Sequence, residues 1–177
     1  MCALPEHATP RSIDMKRAPS DVSLARAKEL GLARIGGHLV TPDQCDPFGR
    51  LRAEHVFGRV SDSIPNLISQ WRQKLAKDAA KQGSAPIEPA GAVVEARVVF
   101  RRWPRAGDLI EVYSGVAEVG AKTNRLVHWL VDPVSGAGWA SIEGVALTFD
   151  IATRKTIAPS PEALASMRAR VIAGLAV

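Results

Sequence analysis

The chain has 177 residues, of which 46% are hydrophobic and 23% charged, so one domain with a real core is the simplest organisation. No apolar run of about 18 residues exists, and the N-terminus lacks the basic and apolar regions of a secretory signal. The composition therefore predicts a protein with no membrane partner. With only two cysteines and no disulfide framework, the expected location is cytoplasmic.

The charge balance is basic, with a formal net charge of +5 and a sequence pI of about 9.6. The basic residues are scattered, and the densest group, Arg101, Arg102 and Arg105, surrounds Trp103. This group belongs to no nucleic-acid-binding motif. We expect a solvated basic surface and no nucleic acid partner, although a basic rim also suits a phosphorylated small ligand.

The first elements in chain order are short. Residues 1–20, rich in Pro, Ser and charge, predict a flexible arm. A short helix follows, capped by Ser20 or Asp21, and Gly31 lies where a helix usually stops. The segment 38–41 predicts a short first strand.

A long apolar stripe begins just after a turn rich in Asp, Pro and Gly. Its members recur at three- and four-residue steps, which is typical of one face of a helix. They are Leu51, Ala53, Val56, Phe57, Val60, Ile64, Leu67, Ile68 and Trp71. Pro65 interrupts the stripe, because proline cannot donate to the helix ladder. We expect a kink or restart there, capped by Ser61, Asp62 or Ser63.

Four strand candidates follow a loop at 83–91. Alternating apolar and polar residues, separated by short turns, predict a strongly curved antiparallel sheet. The strands cover residues 92–102, 108–119, 122–131 and 137–149. The predicted order is β-α-β-β-β-β, an α+β fold. The chain then divides into an N-terminal arm with a short helix (1–35), a central domain (36–155) and a C-terminal tail or helix (156–177).

This order resembles the hotdog fold, in which a curved antiparallel sheet wraps around one long central helix. The likeness covers residues 36–155. At the strand-to-helix junction, C-D-P-F-G at residues 45–49 resembles the C-D-P-x-G motif of acyl-CoA thioesterases of the 4-hydroxybenzoyl-CoA-thioesterase-like superfamily. The segments R-A-G-D-L-I-E-V-Y-S-G-V and L-V-H-W-L-V-D-P-V-S-G-A-G-W-A also resemble strands of these enzymes.

The resemblance implies hydrolysis of an acyl-CoA or acyl carrier protein thioester to free acid and thiol. That reaction needs a carboxylate as nucleophile or general base, and donors for the developing oxyanion. By position, Asp46 would supply the carboxylate, and the backbone N–H of Ala53 would polarise the carbonyl. Gly49 would let the chain turn sharply and a ligand approach. The other interpretation of Asp46 is a turn-forming or helix-capping aspartate.

The motif departs from the family after its glycine. Many hotdog thioesterases continue with His-Val-Asn-Asn, whereas this chain continues with R-L-R-A-E-H. Glu54 would then serve as a second carboxylate and His55 as a substrate contact, or both are solvated residues on the outer face of the helix. Asp62 would reach an acyl pocket, or cap the helix. Cys45 is expected to pack as a small side chain, and His128 to be buried and hydrogen-bonded.

Contacts to the substrate's phosphates would come from basic and polar strand residues. The candidates are Asn124, Arg125, Arg101 and Arg102. The four histidines include no pair at helical ligand spacing, so we expect no metal and no cofactor beyond the coenzyme A of the substrate.

The resemblance also implies a homodimer joined through its sheets, or a homotetramer built as a dimer of dimers, with the active site at the interface. Two alternatives to a thioesterase stay open. One is a non-catalytic acyl-CoA-binding or regulatory hotdog protein, which the incomplete motif favours. The other is a hotdog enoyl-CoA hydratase or dehydratase, whose usual Asp/His or His/Glu pair the chain does not show.

Overall fold

The computed structural model describes residues 21–82, 91–150, 155–156, 158–159 and 161–177. The predicted arm at 1–20 and nearly all of the predicted loop at 83–91 lie outside these residues. The elements are α1 Leu24–Glu29, β1 Ala33–Leu39, a 3-10 helix Pro42–Gln44, α2 Ala53–Gln82, β2 Gly91–Phe100, β3 Leu109–Val119, β4 Thr123–Val131, β5 Gly138–Asp150, β6 Lys155–Thr156 and α3 Pro161–Arg168. The predicted order of one strand, one long helix and four strands is confirmed.

The strands form an antiparallel sheet in the order β1-β3-β4-β5-β2, with β6 paired to β5. β1 and β2 therefore lie at the two ends of the five-strand path. Register shifts in β1, β2 and β3 mark bulges, which increase the local twist and bend the sheet. A curved antiparallel sheet with one long helix confirms the predicted α+β class.

Helix α2 packs on the inner face of the sheet, chiefly over β1. Its buried stripe meets buried residues of β1, β3, β4 and β5. The cluster includes Ile35, Val56, Val60, Leu67, Ile110, Val112, Leu130 and Ile142. The close approach of helix and strand requires a glycine, because a Cβ on Gly36 would lie 2.1 Å from Ser63 Oγ.

The outer face of the sheet has its own core, covered by the segment around α1 and by the last residues of the chain. This cluster includes Val22, Ala27, Leu32, Tyr113, Val127, Trp129, Leu175 and Val177. Ile172 donates its N–H to the carbonyl of Val116 at 2.9 Å, so the C-terminal segment takes the place beside β3 that β1 leaves free. Trp129 Nε1 donates to the carbonyl of Ala176 at 3.0 Å.

The structure corrects the first strand, which runs over Ala33–Leu39 rather than 38–41. Gly36 and Gly37 lie inside the strand instead of ahead of it, because Gly36 makes room for α2. The cap of α1 is Ser23, not Ser20 or Asp21, and its hydroxyl accepts from the N–H of Arg26. Gly31 follows the end of α1 with φ 69°, as predicted.

The predicted restart of the long helix is wrong, because α2 is assigned as one helix through Pro65. None of the three proposed caps starts a new helix there. Ser63 instead donates its hydroxyl hydrogen to the carbonyl of Arg59, one turn earlier, at 2.7 Å. Within the described residues, no helix is long and apolar enough to cross a membrane.

Candidate active site

Residues 45–51 form a tight loop between the 3-10 helix and α2. The N–H of Asp46 donates to the carbonyl of Arg50 at 2.7 Å, and the N–H of Gly49 donates to the carbonyl of Asp46 at 2.9 Å. Gly49 has φ 74°, a left-handed conformation that favours glycine. The loop therefore holds Asp46 in a tight turn that precedes the helix in the chain.

The rest of the fold holds this loop in place. Leu51, at the end of the loop, is fully buried in the inner-face core. Its N–H donates to the carbonyl of Pro104 at 2.8 Å, and Arg50 forms an isolated β-bridge with Arg105. The turn between β2 and β3 thus supports the motif loop.

The Asp46 carboxylate accepts three hydrogen bonds and forms an ion pair with Arg50. Oδ1 accepts from the backbone N–H of Phe48 and of Arg50, each at 2.9 Å. Oδ2 lies 3.0 Å from Nε and 2.9 Å from Nη2 of Arg50. These donors, the backbone N–H of Arg50 foremost, hold the pKa of Asp46 below its usual value. Asp46 is therefore an ionised carboxylate at neutral pH.

Helix α2 begins at Ala53, whose backbone N–H has no acceptor within the described part of the chain. The first N–H groups of a helix lack internal partners and carry the positive end of its dipole. Glu54 lies next to it, with its side chain 66% exposed. Its own N–H and Arg52 Nε, 2.8 Å away, lower the pKa of Glu54. A free donor and a second ionised carboxylate thus lie at the helix start.

Arg52 joins the residues around the helix start. Nη1 donates to the carbonyl of Cys45 at 3.2 Å, and Nη2 lies 2.8 Å from Nε2 of His55. The predicted substrate contact His55 is therefore fixed beside the loop. Cys45 packs against the inner-face core, as expected for a small side chain, with Sγ 3.6 Å from the carbonyl of Thr41.

Other predicted substrate contacts lie elsewhere. Asp62 is 63% exposed on α2, and its carboxylate is 3.8 Å from Arg59. Asn124 and Arg125 are neighbours on β4, so their side chains point to opposite faces of the sheet. Arg125 forms an ion pair with Glu118 at 3.1 Å. These residues are not brought together into one group.

Arg101 and Arg102 are engaged with β5 and the turn before it. Arg101 Nη1 donates to Ser141 Oγ at 2.7 Å. The guanidinium of Arg102 lies 4.2 Å from the centroid of the Trp139 ring, and Nη2 donates to the carbonyl of Ala137 at 3.3 Å. Both arginines therefore contribute to the fold in the positions the structure shows.

His128 is buried and hydrogen-bonded, as predicted. Its Nδ1 lies 2.6 Å from Ser114 Oγ on the neighbouring strand. Burial lowers the pKa of His128 to about 4, so the ring is neutral at physiological pH.

A cleft of about 380 Å³ opens between β1 and α2. It is lined by residues 34–37 of the strand and by Asn66, Ser69 and Gln70 of the helix. None of the predicted site residues lines it. Within the described ranges, no group of three or more His, Cys, Asp or Glu side chains is placed to hold a metal ion.

Three residues of the site were not predicted from the sequence. Arg50 and Arg52 are the partners of the two carboxylates, and Trp103 contacts Arg50 from a distant turn. A signal for Arg50 was present, since an arginine four residues after an aspartate is a favourable pairing distance in a turn or helix. Nothing local pointed to Trp103.

Solved structures of similar fold include the YbaW probable thioesterase from Escherichia coli, with TM-score 0.62, 15% identity and coverage of 78% of this chain and 99% of that one. The hypothetical protein SAV2348 from Staphylococcus aureus in complex with CoA has TM-score 0.60, 16% identity and coverage of 78% and 83%. Slr0204, a 1,4-dihydroxy-2-naphthoyl-CoA thioesterase from Synechocystis, has TM-score 0.57, 14% identity and coverage of 75% and 93%. At these identities the likeness shows the fold alone, which is the predicted hotdog fold.

The family model of the thioesterase-like superfamily matches residues 40–167, a range that contains the motif loop, α2 and the four long strands. The chain belongs to the thioesterase-like superfamily. No curated protein sequence matches it.

Proposed function

We propose that the protein hydrolyses an acyl thioester of coenzyme A or of acyl carrier protein to the free acid and the thiol. Family membership supports this class of reaction. One observation carries the proposal: the ionised carboxylate of Asp46 lies in a tight turn just ahead of Ala53, whose N–H has no acceptor among the residues described. A carboxylate and an unpaired donor are the two groups that thioester hydrolysis needs.

In this proposal the N–H of Ala53 donates to the thioester carbonyl oxygen, where negative charge develops. As general base, Asp46 takes a proton from water while the water oxygen bonds to the carbonyl carbon. The C–S bond then breaks, and the leaving thiolate takes the proton that Asp46 accepted from water. As nucleophile, Asp46 itself bonds to the carbonyl carbon and displaces the thiolate, and water hydrolyses the resulting anhydride. Glu54 is the second candidate carboxylate, and Gly49 leaves room for the ligand.

Coenzyme A fits as the thiol carrier on two grounds. A protein of the same fold, SAV2348, has been solved in complex with CoA. The net charge of +5 also favours approach of an anionic carrier, either the phosphates of CoA or an acidic carrier protein.

We further propose that two copies pair through β2, with the pocket shared between them. Residues 91–97 of this edge strand are all exposed, and they include Val93 at 52% and Val94 at 57%. An edge strand with exposed apolar residues on both faces is a template for pairing with another chain.

A second candidate is a non-catalytic acyl-CoA-binding protein. The observation that favours it is the set of donors on Asp46, three hydrogen bonds and an ion pair with Arg50, because they stabilise the carboxylate and make it a weaker base. A binding protein would retain the acyl-CoA intact. A hydratase of the same fold would add water to an enoyl-CoA without releasing thiol.

The experiment is thiol release from short, long and aromatic acyl-CoAs, measured beside binding of the same compounds. A thioesterase releases thiol from at least one substrate, whereas binding without release supports the second candidate. Ala53→Pro tests the donor, because proline lacks the N–H but is favoured at the first position of a helix. We expect kcat to fall about a hundredfold with Ala53→Pro and to be retained with Ala53→Gly, which keeps the N–H.

A further inference from the structure

The Asp46 carboxylate has two kinds of donor: the backbone N–H groups of the turn and the side chain of Arg50. The backbone N–H groups of Phe48 and Arg50 donate to Oδ1, each at 2.9 Å, a common way for an aspartate to close a turn. The Arg50 side chain adds a second set, with Nε 3.0 Å and Nη2 2.9 Å from Oδ2. The turn closes without this second set, so the guanidinium contact needs its own explanation.

Two aromatic rings fix the Arg50 guanidinium. Its central carbon lies 5.1 Å from the centroid of the Phe48 ring and 5.9 Å from that of Trp103. The Trp103 ring stacks on Phe100, with centroids 4.3 Å apart and planes inclined by 12°. A guanidinium against aromatic faces is held by cation–π attraction. Arg50 therefore has aromatic contacts in addition to its ion pair, although its side chain is 44% exposed and Phe48 is itself 74% exposed.

The support for these rings comes from the fold rather than from the loop. Phe100 ends β2 and packs against the inner-face core, and Trp103 lies in the turn that follows. The same turn accepts the Leu51 N–H at Pro104. The stack that holds Arg50 is thus anchored to the sheet by a strand distant in sequence from the motif.

We infer that Arg50 is the positioning residue of the Asp46 carboxylate, and that Phe48 and Trp103 hold Arg50 in that role. The inference rests on the proposed function, in which Asp46 is the reacting carboxylate. Nε and Nη2 of Arg50 converge on Oδ2 from one side, so Arg50 leaves the second lone-pair direction of this oxygen without a donor. In the proposed reaction that second lone pair takes a proton from water or attacks the thioester carbon, while Arg50 keeps Oδ2 oriented.

The test compares Arg50→Gln and Arg50→Lys with the control Arg105→Gln in the full chain. Arg105 is an exposed arginine of the adjoining turn, so its loss removes a nearby charge without removing a donor to Asp46. Two quantities are measured: the pKa of the Asp46 carboxyl by NMR titration, and the pH dependence of kcat/KM.

Arg50→Gln is expected to raise the Asp46 pKa and to move the acid limb of kcat/KM upward with it. It is also expected to lower kcat about tenfold with KM unchanged, because the carboxylate loses its orientation. Arg50→Lys keeps the charge but not the forked geometry, so the pKa is largely restored and kcat is not. Trp103→Leu loosens the stack and acts in the same direction as Arg50→Gln, with a smaller effect.

An Asp46 pKa that stays unchanged in Arg50→Gln overturns the inference. Equal shifts in Arg105→Gln also overturn it, because the effect is then one of general charge. Wild-type protein that releases no thiol from any acyl-CoA overturns the proposed function instead, and the NMR titration of Asp46 still decides the role of Arg50.

Discussion

The two edges of the sheet are treated differently by the chain. At the β1 edge, helix α2 supplies side-chain donors to strand carbonyls: Asn66 donates to Ile35 at 2.8 Å and Gln70 to Arg34 at 3.3 Å. At the β2 edge, residues 91–97 are exposed throughout. An unprotected edge is a pairing site, whereas a covered edge is closed to other chains. The chain thus covers part of the β1 edge with its own helix and leaves the β2 edge for the proposed partner.

The motif loop, residues 45–51, is connected to both edge regions. It follows β1 and the 3-10 helix in the chain, and the Leu51 to Pro104 hydrogen bond joins it to the turn that follows β2. A substitution at either edge can therefore affect the site. At β1 it would act by changing the stability of the fold, and at β2 by changing the proposed pairing of two chains. Substitutions at each edge separate the two effects.

A substitution at the close contact of β1 with α2 should lower stability more than one at either edge. Gly36→Ala places a methyl group 2.1 Å from Ser63 Oγ, and we expect a loss of about 3 kcal/mol in the free energy of unfolding. Gly37→Ala is the matched control, because its Cβ meets only the end of the flexible Arg34 side chain, at 3.0 Å. Urea unfolding measures both. Equal losses for the two variants would contradict the close contact.

His128 on the interior strand β4 gives a test of stability that does not depend on either edge of the sheet. His128 has a pKa of about 4 in the folded chain and a usual value of 6.5, so the unfolded chain binds more protons between these values. Stability therefore rises with pH through this range and is lost on acidification, by up to about 3 kcal/mol. Urea unfolding at a series of pH values should show this slope in the wild type. A His128→Asn variant with the same slope would contradict the assignment.

The open edge is tested by a matched pair of charge insertions. Val94 on β2 and Leu39 on β1 are 57% and 55% exposed. Val94→Lys is expected to weaken self-association about tenfold or more, because a charge on an edge strand opposes pairing, and Leu39→Lys is not. Light scattering across a dilution series measures this. The free energies of unfolding of the dissociated Val94→Lys and Leu39→Lys chains should differ from the wild type by less than about 0.5 kcal/mol. A dimer weakened by Leu39→Lys instead would place the interface at the β1 edge.

The helix amides over β1 give the smallest effect. Asn66→Ala removes the donor to the Ile35 carbonyl and is expected to cost about 1 kcal/mol of the free energy of unfolding. Gln70→Ala should cost less, because its hydrogen bond to Arg34 is longer and more exposed. Urea unfolding of both variants checks the order, and a larger loss for Gln70→Ala would reverse it.

The sequence predicted the long strands well because short turns rich in Gly, Pro and Asp separate them. The prediction of 108–119 became Leu109–Val119, and 122–131 became Thr123–Val131. The first strand was misplaced because its two glycines were not expected inside a strand. They lie there because a helix distant in sequence packs against one of them, which no local pattern reveals.

The site was predicted in part. The motif located the turn, since its residue types form such a loop by themselves. The Trp103 and Pro104 contacts join segments about 50 residues apart and could not be found from spacing. The sequence alone limits which predicted substrate contacts can act together, because Asn124 and Arg125 are adjacent on a strand and so face opposite sides of the sheet. Their adjacency alone therefore argues against a shared role at one ligand within one chain.

The carboxylate of Asp46 is the central group of the proposed reaction. The decisive measurement is thiol release from the best acyl-CoA substrate by the wild type, Asp46→Asn and the matched control Asp43→Asn. Asp43 carries the same charge in the 3-10 helix before the loop, where the Thr41 side chain holds its pKa low. We predict a loss of about a hundredfold or more for Asp46→Asn alone. Full activity in Asp46→Asn would contradict the account and transfer the chemistry to Glu54.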